Sequence, residues 1–204
     1  MDRVELIPTS NDQDLQFLYR ANYDEVNLLR RSIMSEIPCY AIHNVTSFTK
    51  TGYTAPLSST QAEIGSRLGQ CPIIQSLLPD NVDELVYRLE VINIQGIRIV
   101  TTRDIEGLAF AGEFEICRLK AGEHINYDLR LKKSTPRAGN HMKYMVASSV
   151  GVKEDPNRQG SIMTCELTGQ YNAQDVLTLA FEGLPNTLTD VPENMFYRLA
   201  PKAL

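Results

Sequence analysis

The chain has 204 residues, of which 43% are hydrophobic and 22% are charged. These proportions are typical of globular proteins with one large or two small domains, and they exclude a largely disordered chain. The net charge of -5 argues against a protein whose main task is to coat nucleic acid, because phosphate neutralisation needs clustered Lys and Arg.

The sequence has no segment that resembles a membrane span or a signal peptide. A spanning helix needs about 18 consecutive apolar residues, and no such run occurs. The first residues, MDRV, do not begin a signal-peptide pattern. We therefore expect a soluble intracellular protein, in the nucleus, the cytoplasm or a virion, that does not associate with membranes.

The first predicted elements are a strand at Leu15–Tyr19 and an amphipathic helix that follows it. Apolar residues recur in this helix at spacings of three and four, at Val26, Leu29, Ile33 and Ile37. Asn22 or Asp24 can cap its start. Pro38 ends it after about 12 residues, and the chain continues into a strand at residues 39–42.

The next elements predict a β-rich region between helical segments. A short helix at residues 61–69 ends at Gly69 and Pro72. Alternation then predicts a hairpin from residues 85–91 and 97–101, joined by a turn at Gln95 and Gly96. Further strands are predicted at residues 113–119, 123–131 and 143–152.

The clearest predicted linker is residues 155–160, DPNRQG. Beyond it we predict a strand at residues 161–168 and a helix at residues 173–183. The apolar face of that helix comprises Val176, Leu177, Ala180, Phe181 and Leu184. The predicted fold class is therefore α+β, with a discontinuous domain of residues 1–80 and 160–204 that is interrupted by a β-rich insert of residues 81–159.

The cysteines and histidines form no recognisable metal or catalytic motif. Cys39, Cys71, Cys117 and Cys165 are far apart and predict four separate buried thiols, neither disulfides nor a zinc site. Cys71, His43 and Asp80 are residue types that nucleophilic catalysis uses, but their spacing matches no motif. We expect no catalytic residues, no metal ligands and no bound cofactor.

Three blocks of sequence, in order, resemble the alpha-like subunits of multisubunit DNA-dependent RNA polymerases. That family comprises the N-terminal domain of bacterial alpha, its archaeal counterpart and the third-largest subunit of eukaryotic polymerase II. The matching blocks are residues 27–38 (NLLRRSIMSEIP), 63–73 (EIGSRLGQCPI) and 166–177 (ELTGQYNAQDVL). Residues 119–123 and 140–144 are more similar to the eukaryotic and archaeal members than to bacterial alpha.

The resemblance implies a noncatalytic scaffold that dimerises with a second, smaller alpha-like subunit and docks the two large catalytic subunits. The implied dimer contacts are two helical stripes. The first comprises Val26, Leu29, Ile33 and Ile37, and the second comprises Val176, Leu177, Ala180 and Phe181. Arg30, Arg31 and Arg67 are the implied contacts with a large subunit. The resemblance places the active-site magnesium in another subunit and implies no direct sequence-specific contact with nucleic acid.

The chain also departs from the family pattern. Ser66 replaces the histidine of the second block, and the cysteine clusters that some members carry in the insert are missing. We expect no flexible linker or DNA-binding C-terminal domain of the bacterial type. These departures would suit a divergent polymerase, such as that of a large DNA virus. Two other interpretations stay open, namely a small α+β enzyme and a β-rich binding module.

Overall fold

The structure is a computed structural model that describes residues 3–11, 13–48, 51–79, 82, 85–138 and 141–184. The strands are β1 (Val4–Ile7), β2 (Asp14–Tyr19), β3 (Cys39–Ser47), β4 (Tyr87–Ile92), β5 (Ile97–Thr101), β6 (Glu115–Lys120), β7 (His124–Ser134), β8 (Ala147–Asp155) and β9 (Gly160–Leu167). The α-helices are α1 (Tyr23–Ser35), α2 (Gln61–Gln70), α3 (His141–Tyr144) and α4 (Ala173–Glu182). The predicted α+β class is confirmed.

Contacts within the chain separate two units. Among the described residues, unit 1 contains those up to Pro38, those within 135–141 and those from Met145 to Leu184. Unit 2 contains residues 39–134 and 142–144. Strand pairing explains this division, because β9 pairs with both β2 and β8 in one sheet, whereas β3 pairs with β7 in another.

Unit 1 is an antiparallel sheet with the order β1-β2-β9-β8, and α1 and α4 belong to the same unit. One face of the sheet is apolar, because side chains alternate along each strand. Leu15, Phe17, Met163 and Cys165 lie on this face and are at most 2% exposed. The Tyr19 ring meets the ring of Phe181 on α4 edge to face, with centroids 5.7 Å apart.

The capping of α1 and its end follow from the sequence. The Asn22 side chain accepts a hydrogen bond from the Glu25 amide at 2.9 Å, and Glu25 accepts one from the Asn22 amide at 3.3 Å. This capping box satisfies two amide groups that the first turn leaves without helical partners. The helix ends two residues earlier than the apolar spacing predicted, and Pro38 follows three residues later.

Unit 2 contains the sheets β3-β7-β4 and β5-β6, with α2 against β3 and β6. A second capping box, between Thr60 and Glu63, begins α2. Ile64 and Leu68 of α2 are fully buried in one core with residues from both sheets. Burial of these apolar side chains is the main free energy that holds α2 on the strands.

Two predicted connections are wrong because strands pair with partners that are distant in sequence. β4 and β5 do not form a hairpin, since β4 pairs with β7 and β5 pairs with β6. The predicted linker at residues 155–160 is instead the turn of the β8–β9 hairpin, closed by a hydrogen bond from the Arg158 amide to the Asp155 carbonyl. Lys143 lies in α3 and not in a strand.

The contact units have different boundaries from the predicted domains. Unit 2 runs from Cys39 to Ser134, whereas the predicted insert spans residues 81–159. β3 and α2 therefore belong with the β-rich unit, and β8 belongs with the helices of unit 1. The predicted boundary at 80/81 and the C-terminal residues 185–204 lie outside the described residues. That an alpha-like dimerisation domain is interrupted by an insert stays a prediction.

Candidate functional site

The apolar stripes of α1 and α4 are buried within the chain itself. All eight predicted dimer contacts are between 0% and 8% exposed; they are Val26, Leu29, Ile33, Ile37, Val176, Leu177, Ala180 and Phe181. Contacts within unit 1 bury these side chains in the single chain, and that they contact a second subunit stays a prediction. A partner could reach them only if unit 1 opened.

Small residues bring α1 and α4 into direct contact. The Ser32 hydroxyl, on a side chain that is 3% exposed, donates a hydrogen bond to the Ala180 carbonyl at 2.8 Å. This carbonyl is in the last turn of α4, where helical amide partners run out. A Cβ added to Gly183 would lie 3.3 Å from the Ser32 hydroxyl oxygen. Ser32 therefore caps one helix from the other.

The outer faces of the two helices are more exposed. A second stripe on α1 carries Asn27, Leu28 and Met34, which are half-buried, and Arg31, which is exposed. On α4, Gln174, Thr178 and Leu179 are half-buried. Helical spacing of these residues in the sequence could have revealed this stripe, but the more apolar stripe beside it dominates the pattern.

The three predicted docking arginines have different surroundings. Arg30 donates two hydrogen bonds to the Asn27 side chain within α1, at 3.1 and 3.2 Å. Arg67, in unit 2, donates a hydrogen bond to the Ile116 carbonyl at 2.8 Å. This bond provides a partner for one backbone carbonyl at the outer edge of β6. Arg31 extends into solvent, and no ion pair of Arg31 occurs within the described residues. Of the three, Arg31 has the guanidinium that is most accessible to a partner.

Unit 2 contains a small polar cavity of about 170 Å³. Its lining comprises Ser47, Phe48, Ala55, Pro56, Ser59, Thr60, Gln61, His124, Ile125, Asn126 and Tyr127. Sites for drug-sized ligands typically occupy roughly 300–1,000 Å³, so this cavity has room only for a very small molecule. Burial raises the pKa of Tyr127, which keeps its hydroxyl protonated at neutral pH.

The four cysteines are free and buried, as the sequence predicted. Burial raises the pKa of Cys39 and Cys165 to about 12, and the pKa of Cys71 and Cys117 to about 11. Thiolates are the reactive form, so these thiols are poor nucleophiles at neutral pH. Asp80, the third member of the catalytic trio considered above, lies outside the described residues.

Among the described residues, no three His, Cys, Asp or Glu side chains are grouped so that they could hold a metal ion. Nor does the described part of the chain contain a helix with the length and apolar character that a membrane span requires. No family model and no curated protein matches this chain.

Proposed function

We propose that this chain is a noncatalytic assembly subunit of a DNA-dependent RNA polymerase. In this role it dimerises with a second, smaller alpha-like subunit and docks the two large catalytic subunits. The observation that carries the proposal is the presence, in order, of three sequence blocks that resemble alpha-like subunits, at residues 27–38, 63–73 and 166–177. Any one block would be weak support, because short helical motifs recur in unrelated proteins.

In the structure the three blocks lie mainly on helices and the turns beside them. The first block covers most of α1 and the turn into β3, and the second covers most of α2. The third runs from the end of β9 into α4 through Gly169, which has a φ of +85°. Such a φ favours glycine, and Tyr171 in the same turn donates a hydrogen bond to the Pro38 carbonyl at 2.6 Å.

The partner surface in this proposal is the outer face of α1 and α4 and not the buried stripes. Leu28 and Met34 on α1, with Leu179 on α4, supply apolar area that is half-buried in the single chain. Burial of such area against a second helical surface is how subunit interfaces gain most of their free energy. The active-site magnesium and the chemistry of nucleotide transfer would belong to a large subunit.

Arg31→Glu tests the docking part of the proposal. The complex is assembled by co-expression of the tagged chain with its alpha-like partner and the large subunits, and recovery of each subunit is quantified. We expect recovery of the large subunit to fall about fivefold or more relative to recovery of the alpha-like partner, because a guanidinium that binds a carboxylate is replaced by a like charge.

Arg103→Glu is the matched control for this experiment. Arg103 is also an exposed arginine, but it lies in unit 2, with its guanidinium 3.0 Å from Glu113. The control should leave recovery of every subunit unchanged. If Arg31→Glu and the unsubstituted chain recover the large subunit equally, Arg31 has no docking role.

A further inference from the structure

Unit 2 contains a region of paired strands from which acidic residues are missing. The sequence has no Asp or Glu in residues 37–62 or in residues 129–153, although the whole chain has a net charge of -5. The first segment includes all of β3, and the second includes the end of β7 and α3. Because β3 pairs with β7, the fold brings the two acid-free segments side by side.

Arg130 and Lys132 lie on the same face of this strand pair. They are separated by Leu131, which faces the core and is 7% exposed, and side chains alternate along a strand. Both basic side chains are exposed. The register places Lys132 opposite Ala41 and Arg130 opposite Asn44, so no carboxylate lies across from either of them.

His43 and Lys143 extend this basic region along β3. His43 falls at a β-bulge between Ile42 and Asn44, and its Nδ1 atom is 3.5 Å from the Tyr144 hydroxyl oxygen. Desolvation lowers the pKa of His43, and the nearby charges of Lys132 and Lys143 lower this pKa further. Both ammonium groups are therefore within electrostatic reach of the imidazole, which is neutral at pH 7.

The side chain of Lys143 is held in place. Its ammonium is 3.5 Å from the Ile42 carbonyl oxygen. Its stem crosses Gly69 of α2 so closely that a Cβ at this glycine would lie 2.6 Å from the Lys143 Cε. A charge that is already fixed loses less conformational entropy when a ligand binds it than one on a free lysine.

Four arginines elsewhere in the described part of unit 2 have carboxylate partners, unlike Arg130. Elsewhere in the unit arginines form ion pairs: Arg88 with Asp128 at 3.2 Å, Arg98 with Asp104 at 2.9 Å, Arg103 with Glu113 at 3.0 Å and Arg118 with Glu115 at 2.7 Å. Within the described ranges, Arg130, Lys132 and Lys143 take part in no ion pair.

We propose that Arg130, Lys132, Lys143 and His43, here named the basic surface, dock a carboxylate-rich segment of a protein partner. Charge complementarity carries the assignment, since Arg130 and Lys132 share one face of β7 and Lys132 and Lys143 both lie near His43. The nearest carboxylate along β7, Asp128, is already paired with Arg88, and Arg130 presents a planar guanidinium that suits a carboxylate. A long nucleic acid fits less well, because it would also meet the negative charge of the rest of the chain. The inference does not depend on the polymerase role.

Titration of the full-length chain into fluorescently labelled decaglutamate tests the proposal by fluorescence anisotropy, at about 50 mM salt so that screening is modest. We expect saturable binding to one site. The double variant Arg130→Gln with Lys132→Gln should weaken this binding about tenfold, because two attractive charges are removed. Lys132→Gln alone, which changes one exposed side chain, should weaken it about threefold.

The control is Arg103→Gln with Arg118→Gln, which removes two ion-paired and exposed arginines from the same unit. This control changes the net charge of the chain by the same amount as Arg130→Gln with Lys132→Gln. It should alter the affinity for decaglutamate by less than about twofold. Equal losses in the two double variants, or no saturable binding by the unsubstituted chain, would overturn the proposal. Tighter binding of an oligothymidylate of the same length would also overturn it and assign the surface to phosphates.

Discussion

Ser32 is a polar residue in the last turn of α1, and its role is visible only in three dimensions. In the sequence it lies between Arg31 and Ile33 and has no evident partner. In the structure its hydroxyl satisfies the Ala180 carbonyl at the end of α4. A buried carbonyl without a partner costs more free energy than an ordinary hydrogen bond contributes, so this contact matters for the stability of unit 1.

We predict that Ser32→Ala lowers the free energy of unfolding by about 1–2 kcal/mol. Ser35→Ala is the matched control, because the Ser35 hydroxyl donates to the Arg31 carbonyl in its own helix, at an exposed position. That control should change stability by less than about 0.5 kcal/mol. Urea unfolding monitored by circular dichroism measures both values, and equal effects would show that the contact between the helices is not stabilising.

Arg67 shows how a residue that suggests binding in the sequence can have a local structural role. Its place in the second sequence block made it a candidate for docking a large subunit. In the structure its guanidinium contacts the Ile116 carbonyl, and the Ser58 hydroxyl contacts the next outward carbonyl, of Arg118, at 3.0 Å. Spacing along the sequence cannot reveal such a contact, because α2 and β6 are more than forty residues apart.

At the scale of elements, α1 shows what hydrophobic periodicity can and cannot establish. The spacing of Val26, Leu29 and Ile33 predicted a helix and its apolar face, and both are confirmed. The pattern could not say what covers that face, because a stripe buried against the same chain and one buried against a partner look alike. Here β8 and α4 lie against α1, and Tyr19 of β2 contacts Phe181 of α4 in the same unit.

Leu28 and Leu29 are adjacent on α1 but lie on its outer and buried faces, so substitutions at these positions test the two faces separately. We predict that Leu29→Asp, at a position with 0% exposure, lowers the free energy of unfolding by about 4 kcal/mol or more, because it buries a charge without a partner. Leu28→Asp, on the half-buried outer face, should cost about 1 kcal/mol or less. Thermal unfolding compares the two, and similar losses of stability would contradict the assignment of inner and outer faces.

The strands were predicted better than their pairing. β4, β5, β6, β7 and β9 lie within a few residues of their predicted positions, since alternation is a local signal. The β4–β5 hairpin was wrong because β4 finds its partner in β7, across more than thirty residues. The predicted linker was wrong because polar turn residues are common to linkers and hairpins, and only the pairing of β8 with β9 distinguishes them.

For the whole molecule, the contacts inside unit 1 move the expected partner surface away from the two predicted apolar stripes. Unit 1 already buries the two predicted apolar stripes, so the chain does not need a second subunit to bury them. Among the described residues, the accessible surfaces include the outer faces of α1 and α4, with Arg31, and the basic surface of unit 2. Assembly through such surfaces requires no unfolding, which is favourable for a scaffold that joins several proteins.

The central claim is membership of a polymerase, and purification from the native source tests it most directly. The tagged full-length chain is isolated under non-denaturing conditions, and mass spectrometry quantifies the proteins that accompany it. The account predicts two very large subunits and one smaller alpha-like chain, in amounts equal to that of the tagged chain. Recovery of the chain alone, or with partners that include neither large subunit, would contradict the account.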